Sequence, residues 1–468
     1  MRTAGPLVLD VALLGLGEAV LVGLGVVRSH GQALRCIGLA FIVGWCVLGT
    51  ALVYVLILGA SLELWQPIAL AAALAAVALA LGRVIPAQAD LVERGERGAA
   101  QVIAVSAAAF LVGYLALLGL HSALTTSPTG WDTWAFWLPR AKAIYFFHGL
   151  HPQLHGGFAS FAHPDYPPLL PAFDATVFRF AGAASVLALP FQDWLLAAAF
   201  VAAAAVLLRR RVRPAVLWPA LCLLVLAPQF GASIGEGYAD PQLARLVALA
   251  AVCGGVWVLE RDGRLLVLTG ILLVGASLTK REGLGLALML AVALAVAARV
   301  EGGRGWSRAL LLVPTVIVAV LPWQVWLHFE HVAYKPDYRL RTLLHPRYLL
   351  DRLGRLSTAL EHLPRVALSF DHWLLVLPLA LLLAVLAIRA RSSLAVLVLG
   401  LIGTGYLGLA CVYWIGTLPV TVYMRTSASR VVASLVLLAG ALTPLVASEL
   451  LRKGHAPSHP NHDIQDGV

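Results

Sequence analysis

The feature that most constrains this chain is a recurring block of about 20 consecutive apolar residues, the length an α-helix needs to cross a hydrocarbon layer. Blocks near 6 to 27, 36 to 60, 66 to 82, 99 to 120, 188 to 208, 214 to 228, 242 to 259, 264 to 278, 283 to 298, 308 to 327, 372 to 388, 393 to 414 and 430 to 448 read as spans. They make about thirteen, and since only helices and closed barrels satisfy their backbone in lipid, they predict an all-α polytopic membrane protein. Charged residues are 12% of the chain against about 25% in soluble domains, which excludes a soluble globular enzyme. Met1 to Gly5 lead straight into the first block with no small-residue cleavage site, so an uncleaved first span is expected. Cys36, Cys46, Cys222, Cys253 and Cys411 lie in or at the ends of apolar blocks without the paired spacing of a zinc site, and read as small core residues.

The formal charge of +10 does not require nucleic acid, because Lys and Arg gather in the cytoplasmic links of membrane proteins. Alternate short connections hold Arg28 and Arg35; Arg83, Arg94 and Arg97; Arg209, Arg210, Arg211 and Arg213; Arg261 and Arg264; Arg299, Arg304 and Arg308; Arg389 and Arg391; and Arg452 and Lys453. These mark the cytoplasmic side, so the N-terminus is expected outside and the His-rich tail 451–468 inside. The chain divides into N-terminal helices (1–120), a first large outer connection (121–187), central helices (188–327), a second large outer connection (328–371) and C-terminal helices (372–450). Both large connections exceed what joins neighbouring helices. Arg140 to Leu150 and Tyr348 to Leu363 have the apolar spacing of short interfacial helices.

The outer connections break the charge rule. Lys280, Arg281, Lys335, Arg339, Arg341, Arg347, Arg352, Arg355, Arg425 and Arg430 fall where basic residues are normally sparse. An anionic ligand such as a lipid-linked phosphate explains them, since Arg offers bidentate donors and Lys a point charge; outer-leaflet head groups are the alternative. Lys280 stands in the minimal turn Ser277 to Gly283, with Arg281 and Glu282, where an idle charge at the membrane boundary is costly. Asp132 lies in Gly130 to Trp137 among Trp131, Trp134 and Trp137: either a helix cap within an interfacial aromatic belt, or a general base at the water boundary. His163, Asp165 and Tyr166 form a Pro-bounded turn, and Glu236, Tyr238 and Asp240 open the seventh span. The spans themselves read as nearly free of central charges. Tyr145, Phe146, Phe147, Phe158 and Phe161 suit either a sugar ring or a lipid tail.

In order, these are an Asp after a span, Tyr166 to Leu169 in the same connection, Tyr238 to Asp240 at a span end, and the Lys280 to Gly283 turn. This sequence of motifs resembles the GT-C superfamily of membrane glycosyltransferases, closest to bacterial relatives of protein mannosyltransferases and the aminoarabinose transferase. Tyr423 to Arg430 is similar to the terminal Arg-bearing loop of that family. The resemblance implies a bacterial inner-membrane enzyme moving a sugar from a polyprenyl-phosphate donor to a lipid, glycan or protein acceptor on the extracytoplasmic side. It implies Asp132 as catalytic base and Lys280 on the carrier phosphate, joined in that role by Arg281, Arg425 and Arg430. It also implies a substrate pocket shaped by Trp131, His163, Asp165, Tyr166, Glu236, Tyr238, Asp240 and Glu282. About three additional spans precede the acidic motif, a departure from the family pattern. One direct displacement would invert the anomeric centre. No cofactor is required; a divalent metal suits the donor types of Asp132, His163, Asp165 and Asp240, though no local pattern demands one. Two other readings stay open: a lipid-linked sugar flippase, and a pyrophosphate-dependent glycan polymerase or ligase.

Overall fold

A computed structural model describes residues 4–82, 98–125, 127–151, 163–303, 305–332 and 338–454 of the chain. Arg83, Arg94, Arg97, Phe158, Phe161, Arg304, Lys335, the Lys453 side chain and the tail after residue 454 lie outside the described residues. Helix is the regular structure throughout them. The principal helices are α1 (Ala4–Gly23), α2 (Ile37–Ile57), α3 (Gln66–Gly82), α4 (Ala99–Leu124), α5 (Leu138–Phe147), α6 (Leu169–Ala181), α7 (Leu189–Leu208) and α8 (Pro214–Leu226). They continue as α9 (Ala239–Glu260), α10 (Gly263–Thr279), α11 (Arg281–Val300), α12 (Leu312–Phe329), α13 (Leu353–Ala367), α14 (Val376–Arg389), α15 (Ser393–Ile415) and α16 (Val420–Gly454).

Each predicted block is helical. Among the described residues, 9 helices are long and apolar enough to cross a membrane, and this is a multi-pass membrane protein by that measure. The other four blocks form α3, α8, α10 and α14, shorter apolar helices of 10–17 residues. At 1.5 Å per residue, their 13 to 17 residues reach only about 20–25 Å, short of the hydrocarbon thickness unless a partner helix or loop completes the crossing.

The bundle is built around α9, which is almost entirely buried and packs against α7, α10, α11 and α16. Small residues make this possible. Gly254 faces α11 so closely that a Cβ there would lie 2.6 Å from Leu294 Cδ1, the tight approach expected where lipid offers no hydrophobic drive for association. Hydroxyls inside the bundle fold back onto their own helices: Thr269, Ser277, Thr279 and Thr443 each donate to the carbonyl four residues earlier at 2.8 Å. The N-terminal pair α1 and α2 packs as tightly, at Gly17 and Gly44.

Several boundaries differ from the sequence expectation. The predicted Arg140 helix begins two residues earlier, at Leu138, and Pro139 fits its first turn, where no backbone N–H is required. The predicted Tyr348–Leu363 helix is divided into Pro346–Leu350 and α13, which lays Ala359, Leu363 and Ala367 against the bundle. The segment Tyr423 to Arg430 is no loop. It is the first part of α16, whose 35 residues extend about 52 Å, well beyond the bilayer core. No Gly or Pro interrupts it before Gly440, and the hydroxyls of Thr426 and Ser427 bond back to Val422 and Tyr423. The expected span at 372 starts at Val376; Leu374, at φ 51°, separates it from the short turn Phe370–Trp373.

Candidate active site

Three sequence-distant turns meet at one end of the bundle, here the upper end. The first runs from Thr129 to Trp137 and enters α5 through a π-helical turn, Thr133–Trp137, a local widening frequently found at functional sites. It is fastened to the segment before α9. Thr129 and Gly130 N–H donate to the Gly235 and Glu236 carbonyls at 3.3 and 3.1 Å. Thr133 Oγ1 donates to the Glu236 carbonyl at 2.7 Å, and Trp131 N–H donates to Tyr238 Oη at 2.9 Å. The approach at Gly130 admits no side chain: a Cβ would sit 2.5 Å from the Glu236 oxygen.

The second turn is Ser233 to Tyr238, ahead of α9. The third is Lys280 itself, a single extended residue (φ −151°, ψ 153°) between α10 and α11. α16 passes beside all three and contributes Arg430.

The charged side chains of these elements form one continuous chain. Arg430 Nη1 donates to Asp132 Oδ2 at 2.6 Å and lies 3.7 Å from Asp240 Oδ2. Lys280 Nζ donates to Asp240 Oδ1 at 2.6 Å and stands 3.9 Å from Glu282 Oε2. Tyr166 Oη donates to Glu282 Oε1 at 3.4 Å, and the Lys280 ammonium lies 5.9 Å from the Tyr166 ring centre. Arg430 also rests on the face of Tyr238, 4.1 Å from its centre. Beside this chain, Arg281 Nη1 is 3.6 Å from Asp165 Oδ2 and covers Tyr338 at 4.7 Å.

Burial makes these contacts consequential. Burial alone would favour the neutral amine of Lys280, yet the Asp240 carboxylate, aided by Glu282, holds its pKa above the ordinary lysine value. Glu236 is pushed up to about 7 by burial, against the opposing pull of Arg430. Asp165 is also raised by burial, with Arg281 resisting. Arg140, fully enclosed beneath Asp165, is lowered to about 10 by burial and donates to the Tyr166 carbonyl at 2.7 Å.

Most sequence-predicted residues therefore converge: Asp132, Asp165, Tyr166, Glu236, Tyr238, Asp240, Lys280, Arg281, Glu282 and Arg430. His163 joins them indirectly, stacked on Tyr166 at 4.8 Å with its backbone at φ 53°. Trp131 contributes its backbone N–H, while its side chain is 74% exposed. Arg425 is exposed; five residues before Arg430 on a helix, it points roughly 140° away from it. Asp132 does not cap α5. Its backbone is already helical (φ −60°, ψ −27°) and its carboxylate is taken by Arg430. Arg352 and Arg355 donate to the Gly416 and Tyr413 carbonyls at the end of α15, where cations meet the negative pole of a helix. Among the described residues no group of three or more His, Cys, Asp or Glu is placed to hold a metal ion. Asp132 and Asp240 are bridged by a guanidinium.

Charged side chains do enter the first two turns of α1, α7 and α9. Asp193 of α7 is buried and accepts from Gly235 N–H at 2.9 Å, Gln242 Nε2 at 2.8 Å and Arg245 Nη1 at 2.8 Å. Arg245 Nη2 adds Ser233 Oγ at 3.3 Å. Asp10 of α1 accepts from Gln192 Nε2 at 3.1 Å. Asp174 on α6 is driven up to about 8 by burial and the nearby Asp193 carboxylate. Buried charges in spans are retained when paired, and this pairing has a use: Asp193 anchors Gly235 from below, and Gly235 with Glu236 anchors the Asp132 turn from above. The available signal was Gln-Asp in one apolar block and Gln-x-x-Arg in another.

Comparison with protein-family models, with curated proteins and with solved structures finds no match to this chain.

Proposed function

We propose that this chain is a membrane glycosyltransferase of GT-C type that moves a sugar from a polyprenyl-phosphate donor to an acceptor hydroxyl on the extracytoplasmic face of a bacterial inner membrane. The observation that carries the reading is that the Asp132 carboxylate and the Lys280 ammonium belong to one ionic chain, bridged by Arg430 and Asp240. Glycosyl transfer from a phosphate carrier needs a base on the nucleophile and positive charge on the departing phosphate, and this arrangement offers both along one ionic chain. The donor phosphate meets Lys280, Arg281 and Arg430. Its negative charge competes with Asp132 for the Arg430 guanidinium, so donor binding releases the carboxylate to take the acceptor proton. As the glycosidic bond breaks, charge grows on the phosphate oxygens, and cations already in position lower the barrier. A direct displacement inverts the anomeric centre. In this reading α3, α8, α10 and α14 cross together with the nine longer apolar helices, and the basic links between alternate helices orient the N-terminus outside and the C-terminus inside.

The test is turnover. Purified protein incubated with labelled polyprenyl-monophosphate sugar and membrane extract should form product, and Asp132→Asn should lower the rate by ~10²–10⁴-fold. Near-normal turnover in that variant overturns the assignment. A second reading, movement of the lipid-linked sugar without transfer, is favoured by the Asp193–Arg245 pair inside two spans. It predicts that the labelled lipid crosses a vesicle bilayer while no product appears.

A further inference from the structure

The stretch 338–353, which leads into α13, leaves most of its leucines bare. Leu340, Leu343 and Leu344 of the 3₁₀ turn Leu340–Leu344 are exposed, Leu344 at 80%, and so are Leu350 and Leu353. Single scattered leucines on a surface are ordinary, but a run of this kind marks a place where something else is met. The same stretch exposes Arg339, Arg341 and Arg347, and Asp351 is its one acidic residue. Its partner is therefore apolar and anionic at once.

Where the stretch sits decides what that partner is. At its start, Tyr338 is buried under the guanidinium of Arg281, the first residue of α11, which lies 4.7 Å from the ring centre. Further on, Tyr348 Oη donates to the Ile415 carbonyl at 3.2 Å, Trp414 Nε1 donates to the Leu349 carbonyl at 3.1 Å, and Arg352 Nη1 donates to the Gly416 carbonyl at 2.7 Å. Ile415 is the last residue of α15, a helix long and apolar enough to cross a membrane, so the stretch is fastened where the hydrocarbon ends. The Tyr and Trp of these fastenings are the residue types that concentrate at that boundary. A bilayer reaches the bare leucines before any other macromolecule does.

The helix that follows has the matching orientation. α13 buries Ala359, Leu363 and Ala367, while Arg365 and Glu361 pair in the open at 70% and 64% exposure. At 3.6 residues per turn Leu353 and Leu360 fall within about 20° of each other, between those two faces, and both are exposed. A helix lying in an interface divides in this way, with an apolar flank toward acyl chains and a charged one toward water. A neutral lipid would cover the leucines and leave three arginines without counter-charge. An anionic glycerophospholipid supplies both the chains and the phosphate.

We infer that 338–353 is an in-plane docking element that seats in the leaflet at the upper end of the bundle and gathers anionic glycerophospholipid there, with Arg339, Arg341 and Arg347 on the phosphates. The lipid is bulk phospholipid and not the polyprenyl carrier. One defined phosphate is suited by the buried cation at Lys280, whereas guanidiniums standing in the open suit headgroups that exchange. The inference holds whether or not the chain transfers sugar.

The experiment places a bimane fluorophore on Leu344→Cys in the full-length protein, in phosphatidylcholine nanodiscs containing a nitroxide lipid labelled near its headgroup, either phosphatidylglycerol or phosphatidylcholine. Four native cysteines are buried and Cys411 is half-buried, and the unsubstituted protein taken through the same labelling is the blank. Glu361→Cys is the reference on the water side. Quenching at position 344 should occur with both lipids, and phosphatidylglycerol should be favoured about fivefold, the ratio that about 1 kcal/mol for one arginine at an anionic surface produces. The triple variant Arg339→Gln, Arg341→Gln, Arg347→Gln should abolish that preference and keep the quenching by phosphatidylcholine. Leu350→Cys gives the same reading if Leu344→Cys does not label. A fluorophore at 344 unquenched by either lipid, as when another protein covers the leucines, overturns the inference. So does equal quenching by the two lipids, a preference that survives the triple variant, or quenching at 361 as strong as at 344.

Discussion

Replacing Asp193 with Ala should be among the most damaging single changes in the protein, although the residue lies in an apolar helix and touches no proposed substrate. Three donors converge on its carboxylate: Gly235 N–H at 2.9 Å, Gln242 Nε2 at 2.8 Å and Arg245 Nη1 at 2.8 Å. The Asp193 and Arg245 side chains are 4% and 3% exposed, so water cannot take over what the carboxylate leaves behind. Removing one member of a buried pair costs about 3–5 kcal/mol, because the surviving charge stays buried and uncompensated. The stranded Gly235 N–H belongs to the same network, so its own loss is partly counted already; a total near 4 kcal/mol lowers the ratio of folded to unfolded protein by roughly 10³. Equilibrium unfolding of the purified protein in mixed micelles of a mild detergent and SDS measures it. The companion variant Asp193→Leu with Arg245→Met removes both charges and should recover to within about 2 kcal/mol of wild type, since an apolar pair of similar volume is commonly as stable. It should not recover activity, because Gly235 still lacks its anchor and the Asp132 turn above it loses its position. Asp193→Ala unfolding within about 1 kcal/mol of wild type would refute the reasoning, as would full activity in the apolar pair.

Lys280→Ala should weaken donor use more than acceptor use, measured as separate KM values; equal losses would count against its phosphate role. Gly130→Ala should cut transfer with little change in expression, because its Cβ would meet the Glu236 carbonyl at 2.5 Å and push the Asp132 turn outward. Gly285→Ala, where a Cβ meets nothing within 4 Å, is the control and should behave as wild type. The raised pKa of Glu236, about 7 against 4.5 for the free side chain, means the folded protein holds a proton that the unfolded chain has released between those pH values. Its contribution to stability is thus complete below about pH 4.5 and is lost as pH rises through 7. Glu236→Gln should flatten the unfolding midpoint across that window, and an unchanged slope would remove Glu236 as the cause. Transfer should persist in excess EDTA, and its abolition with recovery on adding Mg²⁺ or Mn²⁺ would restore a metal to the mechanism.

Sequence patterning carried the helical bundle well, because a helix in lipid announces itself by length and apolarity alone. It also located the charged groups that gather at the upper end, since Asp132, Asp240 and Lys280 all stand at the edges of apolar blocks where an ion has to be explained. What it missed depends on distance along the chain. Nothing local to Arg430 tells that its guanidinium reaches Asp132, 298 positions earlier. Arg425 has the same chemistry in the same segment, and only the helical phase of α16 separates the two. Asp193 and Arg245 were hidden for another reason: each is the one charged residue of its apolar block, and hydropathy averaging hides them. Their Gln neighbours, Gln192 and Gln242, were the visible trace. Trp373 was assigned to a span, and its place ahead of α14 follows from the break at Leu374, which carries no Gly or Pro to mark it.

A density map of the protein in nanodiscs loaded with polyprenyl monophosphate tests the central claim most directly. The account predicts phosphate density within about 4 Å of at least two of Lys280, Arg281 and Arg430, the range of a charge-assisted contact. A phosphate seated instead on Arg347 and Arg425, or at the opposite end of the bundle near Arg261 and Arg264, would contradict it.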